Sequence, residues 1–141
     1  GAMGFGLGAA LGAKAGNPDK TVIHITGDGS FGMNMTELMT ETRERLPVIT
    51  IIFDNTALGL VRQNQTLNYS RRYSQTSLTA LPDYSLLAGA FGLEAIRVEN
   101  ATELEAALDR FLVGGHGGII DCAVDRDELI RPMRDKGRLI Y

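Results

Sequence analysis

The sequence predicts an α/β fold, a mostly parallel sheet of the doubly wound type with helices on both faces. Two observations carry this prediction. Four short runs rich in β-branched residues are almost continuously apolar, which is typical of parallel strands buried on both faces. Helical patterns separate these runs, as expected because parallel strands need a crossover to return in the same direction. At 141 residues the chain fits a single domain, residues 1–141.

The four predicted strands end where ligands commonly bind. They are residues 21–26, 48–53, 95–98 and 119–124. In an open α/β sheet, ligands gather at the carboxyl ends of the strands. The loops after Thr26 and Phe53 are therefore the places where the sequence predicts a functional site.

Three helices are expected around the sheet. Residues 4–15 are mostly Gly and Ala, a composition suited to a helix packed close to other backbone. Asn34 with Glu37 forms a capping box that predicts a helix ending near Arg45, before Pro47. A second box, Asn100 with Glu103, starts a helix that ends in the glycine-rich turn 114–118. Its apolar stripe at helical spacing is Leu104, Ala107, Leu108, Phe111 and Leu112.

Composition excludes several classes of protein. The net charge is −3 and the basic residues are scattered, apart from Arg71, Arg72 and residues 131–138, so no nucleic-acid partner is predicted. No stretch has the roughly 18 apolar residues of a membrane helix. The only cysteine, Cys122, lies in an apolar run and is expected to pack as a small hydrophobe in a reducing, cytoplasmic setting. The first residues lack a signal peptide and any lead-in, so we expect a piece of a longer chain.

The first loop, residues 27–30, suits a bound phosphate. Its glycines let backbone N–H groups approach an anion, the Ser30 hydroxyl adds a donor, and a helix N-terminus follows. A carboxylate in such a place repels a phosphate unless a cation lies between them. Asp28 therefore suggests Mg2+ or Ca2+ bridging a diphosphate to the protein.

The second loop begins Asp54-Asn55-Thr56-Ala57 and offers neutral oxygen ligands. One helical crossover between adjacent parallel strands would bring Asp28 and Asn55 to neighbouring loops, where hard cations would find carboxylate, amide and carbonyl oxygens. The alternative is that both are turn residues without a ligand, since Asp, Asn and Gly favour turns for local reasons.

The two loops together resemble the motif of thiamine-diphosphate enzymes. That motif runs Gly-Asp-Gly, a gap in the middle twenties, then Asn-Asn, and here 24 residues separate Gly29 from Asp54. Asp54 departs from the first Asn, whereas the family's metal ligand is the second position, Asn55. Residues 1–7, residues 58–63, and residues 125–128 with Pro132 and Met133 are similar to the large subunit of acetolactate synthase.

The resemblance implies roles for particular residues. Mg2+ would be held by Asp28, Asn55 and the carbonyl of Ala57, and the diphosphate by Gly29 and Ser30. The Gly1 carbonyl would accept a hydrogen bond from the 4'-amino group of the cofactor, and Met3 would lie beneath the bend between its two rings. The implied cofactor-binding set is Gly1, Met3, Gly27, Asp28, Gly29, Ser30, Asn55, Ala57, Leu58 and Gly59. No catalytic side chain is expected in this chain, because the family's activating glutamate comes from the pyrimidine-binding domain of a neighbouring subunit.

The implied reaction is decarboxylation of pyruvate and condensation with a second 2-keto acid. The resemblance also implies a homo-oligomer, an inactive isolated chain, and room for FAD in a domain absent from these residues. Asn64, where many relatives carry Trp, and residues 134–141 depart from the family pattern. Two alternatives therefore remain open. One is another thiamine-diphosphate 2-keto acid decarboxylase or oxidoreductase, and the other is a non-catalytic assembly module.

Several residues also have plain structural interpretations. Met3 could fill a gap in a core. His24, in the middle of a strand, is expected to be a hydrogen-bonded core residue, and His116 has no assigned role. Arg62 and Gln63 could be solvated helix residues.

Overall fold

The computed structural model describes residues 1–131, 133–135 and 138–140 of the chain. Side chains are described up to Arg131. Pro132, which contributes to the resemblance, lies outside the described residues. Lys136, Gly137 and Tyr141, which belong to the segment 134–141 that departs from the family pattern, also lie outside them.

A four-stranded parallel sheet forms the centre of the molecule, which confirms the predicted fold class. Its strands are β1 (Ile23–Gly27), β2 (Ile49–Asp54), β3 (Glu94–Val98) and β4 (Gly118–Ala123). The spatial order is β1-β2-β4-β3, so the last of these strands in the sequence lies between β2 and β3. A separate antiparallel pair, β5 (Met133–Asp135) and β6 (Arg138–Ile140), follows the sheet.

Helices cover both faces of the sheet. They are α1 (Gly6–Gly16), α2 (Asp28–Gly32), α3 (Leu38–Glu44), α4 (Gly59–Asn68), α5 (Tyr84–Ala90) and α6 (Ala101–Gly114), with a 3-10 turn at Met35–Glu37. Of these, α2 and α5 had no counterpart among the predicted helices, since residues 27–30 were predicted as a loop, and α4 was anticipated only in the interpretation of Arg62 and Gln63 as helix residues. None of the helices in the described part of the chain is long and apolar enough to cross a membrane.

The core divides into two clusters because neighbouring strand residues point to opposite faces. On one face Leu7, Phe31 and Leu38 pack with Ile52 and Ile119 of the sheet. On the other face α6 covers the sheet, and its residues Ala107 and Phe111 are buried against Ile51, Val98 and Ile120. Cys122 is a buried free thiol in this second cluster, as predicted.

The two predicted capping boxes have different outcomes. Asn100 accepts a hydrogen bond from the Glu103 N–H at 3.0 Å, and the Glu103 carboxylate accepts one from the Glu99 N–H at 2.8 Å, so this box is confirmed. The box at Asn34 is wrong, because its side chain makes no capping hydrogen bond and the 3-10 turn intervenes before α3 begins at Leu38.

The predicted stripe on α6 is also one residue too long. Leu112 is 43% exposed, because the buried side of the helix ends at Phe111. His24 is buried and lies 3.4 Å from the Thr50 hydroxyl, which confirms the core interpretation, and burial lowers its pKa.

Candidate functional site

Asp28 is the first residue of α2 and lies at the carboxyl end of β1. It is 2% exposed, and its Oδ1 accepts a hydrogen bond from the Gly29 N–H at 2.7 Å. Its Oδ2 is buried and has no hydrogen-bond partner among the residues that the structure describes. Burial, and then the neighbouring carboxyl of Asp54, raise the pKa of Asp28 to about 6. A buried acid with a free oxygen is poised to accept a cation or a proton.

The loop after β2 is held in a strained conformation. Asp54 Oδ1 accepts the Thr56 N–H at 3.0 Å, and Asn55 Oδ1 accepts the Ala57 N–H at 3.0 Å. Thr56 has a φ of +53°, which costs a β-branched residue about 1–3 kcal/mol. The Arg126 guanidinium holds this turn through the Thr56 hydroxyl and through the Asn55 carbonyl at 3.4 Å.

One cavity of about 490 Å³ joins these two loops. All the predicted cofactor-binding residues except Gly1 line it, namely Met3, Gly27, Asp28, Gly29, Ser30, Asn55, Ala57, Leu58 and Gly59. Asp28 and Asn55 thus share one cavity, as the crossover argument predicted. Gly1 is exposed and no described heavy atom lies within 4 Å of the Cβ position that a side chain would occupy there.

Other residues of the cavity wall were not among the predicted binding residues. They are Phe53, Leu60, Val61, Val124, Asp125, Glu128 and Ile130. The segment 124–130 follows β4, whose carboxyl end lies at the same edge of the sheet as those of β1 and β2. A search of the residues after all four predicted strands would have found it.

Two glycines lie where a side chain would obstruct the site. A Cβ on Gly29 would lie 2.9 Å from a Leu58 methyl, 3.2 Å from a Leu78 methyl and 3.4 Å from the Met3 methyl. A Cβ on Gly59 would lie 2.8 Å from Asn55 Nδ2. A side chain at either position would therefore displace the residues that line the cavity, Met3, Leu58 or Asn55.

The wall formed by α4 is tied to the segment after β4. Gln63 is 4% exposed and exchanges two hydrogen bonds with the Ile130 backbone, at 2.8 and 3.0 Å. Arg62 pairs with Asp127 at 2.7 Å and lies over the Tyr73 ring, 3.7 Å from its centroid. The interpretation of Arg62 and Gln63 as solvated residues is therefore wrong.

A second polar cluster lies behind the Asp54 side chain. Arg97 Nη1 lies 2.5 Å from Asp121 Oδ2 and 3.4 Å from Asp54 Oδ2. Asp121 Oδ1 and the Tyr84 hydroxyl are buried without a hydrogen-bond partner, and both residues line a cavity of about 200 Å³. Burial, and then the Asp54, Asp28 and Asp121 carboxyls, raise the pKa of Tyr84. No pattern in the sequence indicated this cluster, because Arg97 and Asp121 are single charged residues inside apolar runs.

The opposite edge of the sheet also buries an acid. Glu41 is 2% exposed, and its Oε1 accepts the Val48 N–H at 3.2 Å while its Oε2 has no partner. Burial raises the pKa of Glu41 to about 7. Within the described residues, no group of three or more His, Cys, Asp or Glu side chains is arranged to hold a metal ion at either edge. A cation site at the Asp28 edge would therefore need amide and carbonyl oxygens as well.

Residues 1–122 match the family model described as "Thiamine pyrophosphate enzyme, C-terminal TPP binding domain". The chain therefore belongs to this family of thiamine-pyrophosphate-binding domains, as the two loops had indicated. It is 43% identical over 137 residues to the acetolactate synthase isozyme 2 large subunit of Escherichia coli (strain K12), covering 97% of this chain and 25% of that protein. It is 40% identical over 139 residues to the probable acetolactate synthase large subunit of Methanocaldococcus jannaschii, covering 99% of this chain and 24% of that protein.

A solved structure shares the fold. The thiamine diphosphate-dependent 4-hydroxybenzoylformate decarboxylase of Rhodococcus jostii RHA1 matches with a TM-score of 0.81 and 28% identity, over 90% of this chain and 24% of that chain. The chain spans about a quarter of the length of the curated relatives that it matches.

Proposed function

We propose that this chain binds the diphosphate end of thiamine diphosphate through Mg2+, as one domain of a longer acetolactate synthase-like enzyme. The observation that carries the proposal is the buried, unpartnered Oδ2 of Asp28, in a cavity that Asn55 and Ala57 also line. A free carboxylate oxygen beside amide and carbonyl oxygens is the ligand chemistry that Mg2+ prefers.

The residues present fit the cation. Asp28 and Asn55 would supply side-chain oxygens and Ala57 its carbonyl, and phosphate oxygens and water would complete the coordination. The positive charge would offset the repulsion between the adjacent Asp28 and Asp54 carboxyls, which now raises the pKa of Asp28. It would also let an anionic diphosphate approach an acidic loop.

The residues around the loop also fit a diphosphate. Gly29 and Ser30 line the cavity at the start of α2, and the Ser30 hydroxyl already accepts a hydrogen bond from the Gly4 N–H at 3.1 Å, so its position is fixed. Met3 lies at the cavity wall, where it would support the bend of the cofactor, and we propose that the Gly1 carbonyl orients the pyrimidine amino group. Thiamine diphosphate, when bound, supplies the electron sink that allows a 2-keto acid to lose carbon dioxide.

For the whole protein we propose pyruvate decarboxylation with transfer to a second 2-keto acid. The activating glutamate would come from a pyrimidine-binding domain of a neighbouring subunit, so the chain alone would be inactive and the enzyme a homo-oligomer. FAD, if used, would bind a domain outside this chain. We also propose a cytoplasmic location, supported by the buried and unpaired thiol of Cys122.

A 2-keto acid decarboxylase is the second candidate. It is supported by the likeness to the 4-hydroxybenzoylformate decarboxylase fold and by Asn64, which pairs with Asn68 at 2.8 Å instead of placing a large ring on α4. Analysis of the products that the complete protein forms from pyruvate separates the two candidates, because a carboligase yields a 2-hydroxy-3-keto acid and a decarboxylase an aldehyde. A non-catalytic assembly module would not need the unpartnered Asp28 oxygen.

Replacement of Asp28 tests the binding proposal. In the complete protein, Asp28→Ala should weaken Mg2+-dependent binding of thiamine diphosphate by at least about 100-fold, because the diphosphate loses the cation that neutralises it. Calorimetric titration of cofactor with and without Mg2+ measures this, and Asp19→Ala, an exposed turn residue, is the matched control. Equal affinities of Asp28→Ala and the wild type would refute the proposal.

A further inference from the structure

Arg97 connects the middle of the sheet to the loop that carries Asn55. It lies on β3 and is paired in register with Asp121 of the neighbouring β4. Its Nη1 contacts Asp121 at 2.5 Å and Asp54 at 3.4 Å, so one guanidinium nitrogen is shared by two carboxylates. Asp54 and Asp121 are 8% and 5% exposed, and charges buried to this degree need a partner.

Asp54 connects Arg97 to the loop that follows β2. One carboxylate oxygen faces Arg97 and the other accepts the Thr56 N–H at 3.0 Å. Thr56 is the residue with the strained φ of +53°, and such a conformation persists only when its surroundings hold it. The residues on either side of Thr56 are the two proposed cation ligands of this loop, Asn55 and Ala57.

Asp121, the second carboxylate that contacts Arg97 Nη1, is held by the sheet. Asp121 lies on β4 between β2 and β3, so both neighbouring strands fix the backbone that carries the carboxylate contacting Arg97. The Arg97 side chain is 52% exposed, whereas both carboxylates are buried. The guanidinium therefore links Asp121, whose backbone lies within the sheet, to Asp54 at the start of the strained loop.

We propose that Arg97 is a positioning residue of the site, which acts through Asp54 to hold the turn at Thr56 in the conformation that presents Asn55 and the Ala57 carbonyl to the cation. This inference rests on the proposed cation site. It concerns how the loop is held and does not require Arg97 to touch cofactor or substrate.

The test measures cation affinity and compares two arginines. In the complete protein with saturating thiamine diphosphate, Mg2+ is titrated calorimetrically into the wild type, Arg97→Met and Arg110→Met. Arg110 is a matched control, because it also contacts a carboxylate at 2.5 Å, that of Glu94, and is similarly exposed. Loss of a direct outer partner of a metal ligand typically weakens binding about 10–100-fold. Arg97 acts one residue further from the ligands, through Asp54, so a loss of about tenfold is expected for Arg97→Met, with Arg110→Met within about twofold of the wild type.

A double-mutant cycle distinguishes positioning from general destabilisation. In an Asp54→Asn background the further change Arg97→Met should cost less than about threefold, because the carboxylate that Arg97 holds has been removed. If Arg97→Met does not fold, as judged by circular dichroism, Arg97→Lys replaces it; a single ammonium cannot hold both carboxylates as a guanidinium does, so intermediate weakening is expected.

Three results overturn the inference. Wild-type affinity in Arg97→Met, or in Arg97→Lys where that variant is the one that folds, excludes a positioning role. An undiminished effect of the Arg97 change in the Asp54→Asn background shows that Arg97 does not act through Asp54. Failure of the wild type itself to bind Mg2+ with the cofactor removes the proposed function and this inference with it, and is distinguished from the first two results because it appears without any substitution.

Discussion

Each edge of the sheet buries an acid with one unpartnered oxygen, Asp28 at the carboxyl edge and Glu41 at the amino edge. Burial is the largest cause of the raised pKa at both. The surroundings differ, because Asp28 faces a second carboxyl and shares its cavity with Asn55 and Ala57, whereas the Glu41 carboxyl accepts one hydrogen bond, from the Val48 N–H, within the described residues. A buried acid is therefore not sufficient for a site, and it is the convergence of further oxygens that distinguishes one edge from the other.

The largest expected effect concerns Glu41 and the pH dependence of stability. Its pKa rises from 4.5 to about 7 on folding, so the folded chain holds a proton that the unfolded chain loses between these values. The stability that the folded chain gains from holding this proton is fully present below about pH 4.5 and is lost as the pH rises through 7. Glu41→Gln should therefore unfold at pH 8 with a free energy on the order of 3 kcal/mol above wild type, and the difference should vanish in acid.

Urea unfolding of the chain across this pH range measures the Glu41 effect. Glu44→Gln, on an exposed side chain paired only with Arg43, is the control and should show no such trend. A constant difference between Glu41→Gln and wild type at all pH values would contradict the prediction.

The ionised Asp28 carboxyl should also lower the free energy of unfolding at high pH, but only in the absence of the cation. Its pKa is raised from 3.8 to about 6, so in the presence of a chelator Asp28→Asn should be more stable than wild type at pH 8, by roughly 3 kcal/mol. With Mg2+ and thiamine diphosphate the order should reverse, because only the wild type gains stability from binding. Denaturant unfolding with the chelator, and again with Mg2+ and thiamine diphosphate, measures the sign of the stability difference between Asp28→Asn and wild type. The comparison fails if Glu41→Gln shows the same reversal.

Gly59→Ala separates site geometry from stability. The added Cβ would lie 2.8 Å from Asn55 Nδ2 and displace that side chain, so Mg2+ affinity should fall about tenfold, which is roughly 1.4 kcal/mol. Gly12→Ala in α1 is the control, since nothing lies within 4 Å of its Cβ, and it should stabilise the chain by roughly 0.5–1 kcal/mol without altering affinity. Unchanged Mg2+ binding by Gly59→Ala would contradict the prediction that the added Cβ displaces Asn55 from the cation.

The smallest effect compares the two predicted capping boxes. Asn100→Ala removes a cap that accepts the Glu103 N–H and should cost about 1 kcal/mol of unfolding free energy. Asn34→Ala removes no capping hydrogen bond and should cost less than about 0.5 kcal/mol. Thermal unfolding of the two variants measures the difference, and equal losses would show that capping does not explain it.

The sequence predicted those features that depend on local pattern and on the rule that parallel strands end at one edge. The apolar runs located all four strands, and the residues after Thr26 and Phe53 lie in one cavity. The box at Asn34 failed because a capping pattern is local, and the chain makes a 3-10 turn there before α3. The roles of Asp28, Asn55 and Gly1 toward a cofactor remain predictions.

Burial of Glu41 and the pairing of Arg97 with Asp121 were beyond prediction for a different reason. Glu41 lies in a polar stretch that resembles a solvated helix, and only the packing of Gly117 and Val48 against its carboxyl shows that it is inside. Arg97 and Asp121 are far apart in sequence and become neighbours only because β4 lies beside β3. Such pairings depend on strand order, which the pattern of apolar runs does not contain.

The insertion of β4 between β2 and β3 separates the order of synthesis from the order of assembly. A nascent chain that ends before Gly118 leaves β2 and β3 with open edges facing a gap, and open edges invite pairing with other chains. The segment 124–130, which closes one wall of the cavity, is made later still. The two loops proposed to bind the cation precede β4 in the chain, yet the cavity between them has its full wall only once residues 124–130 have followed.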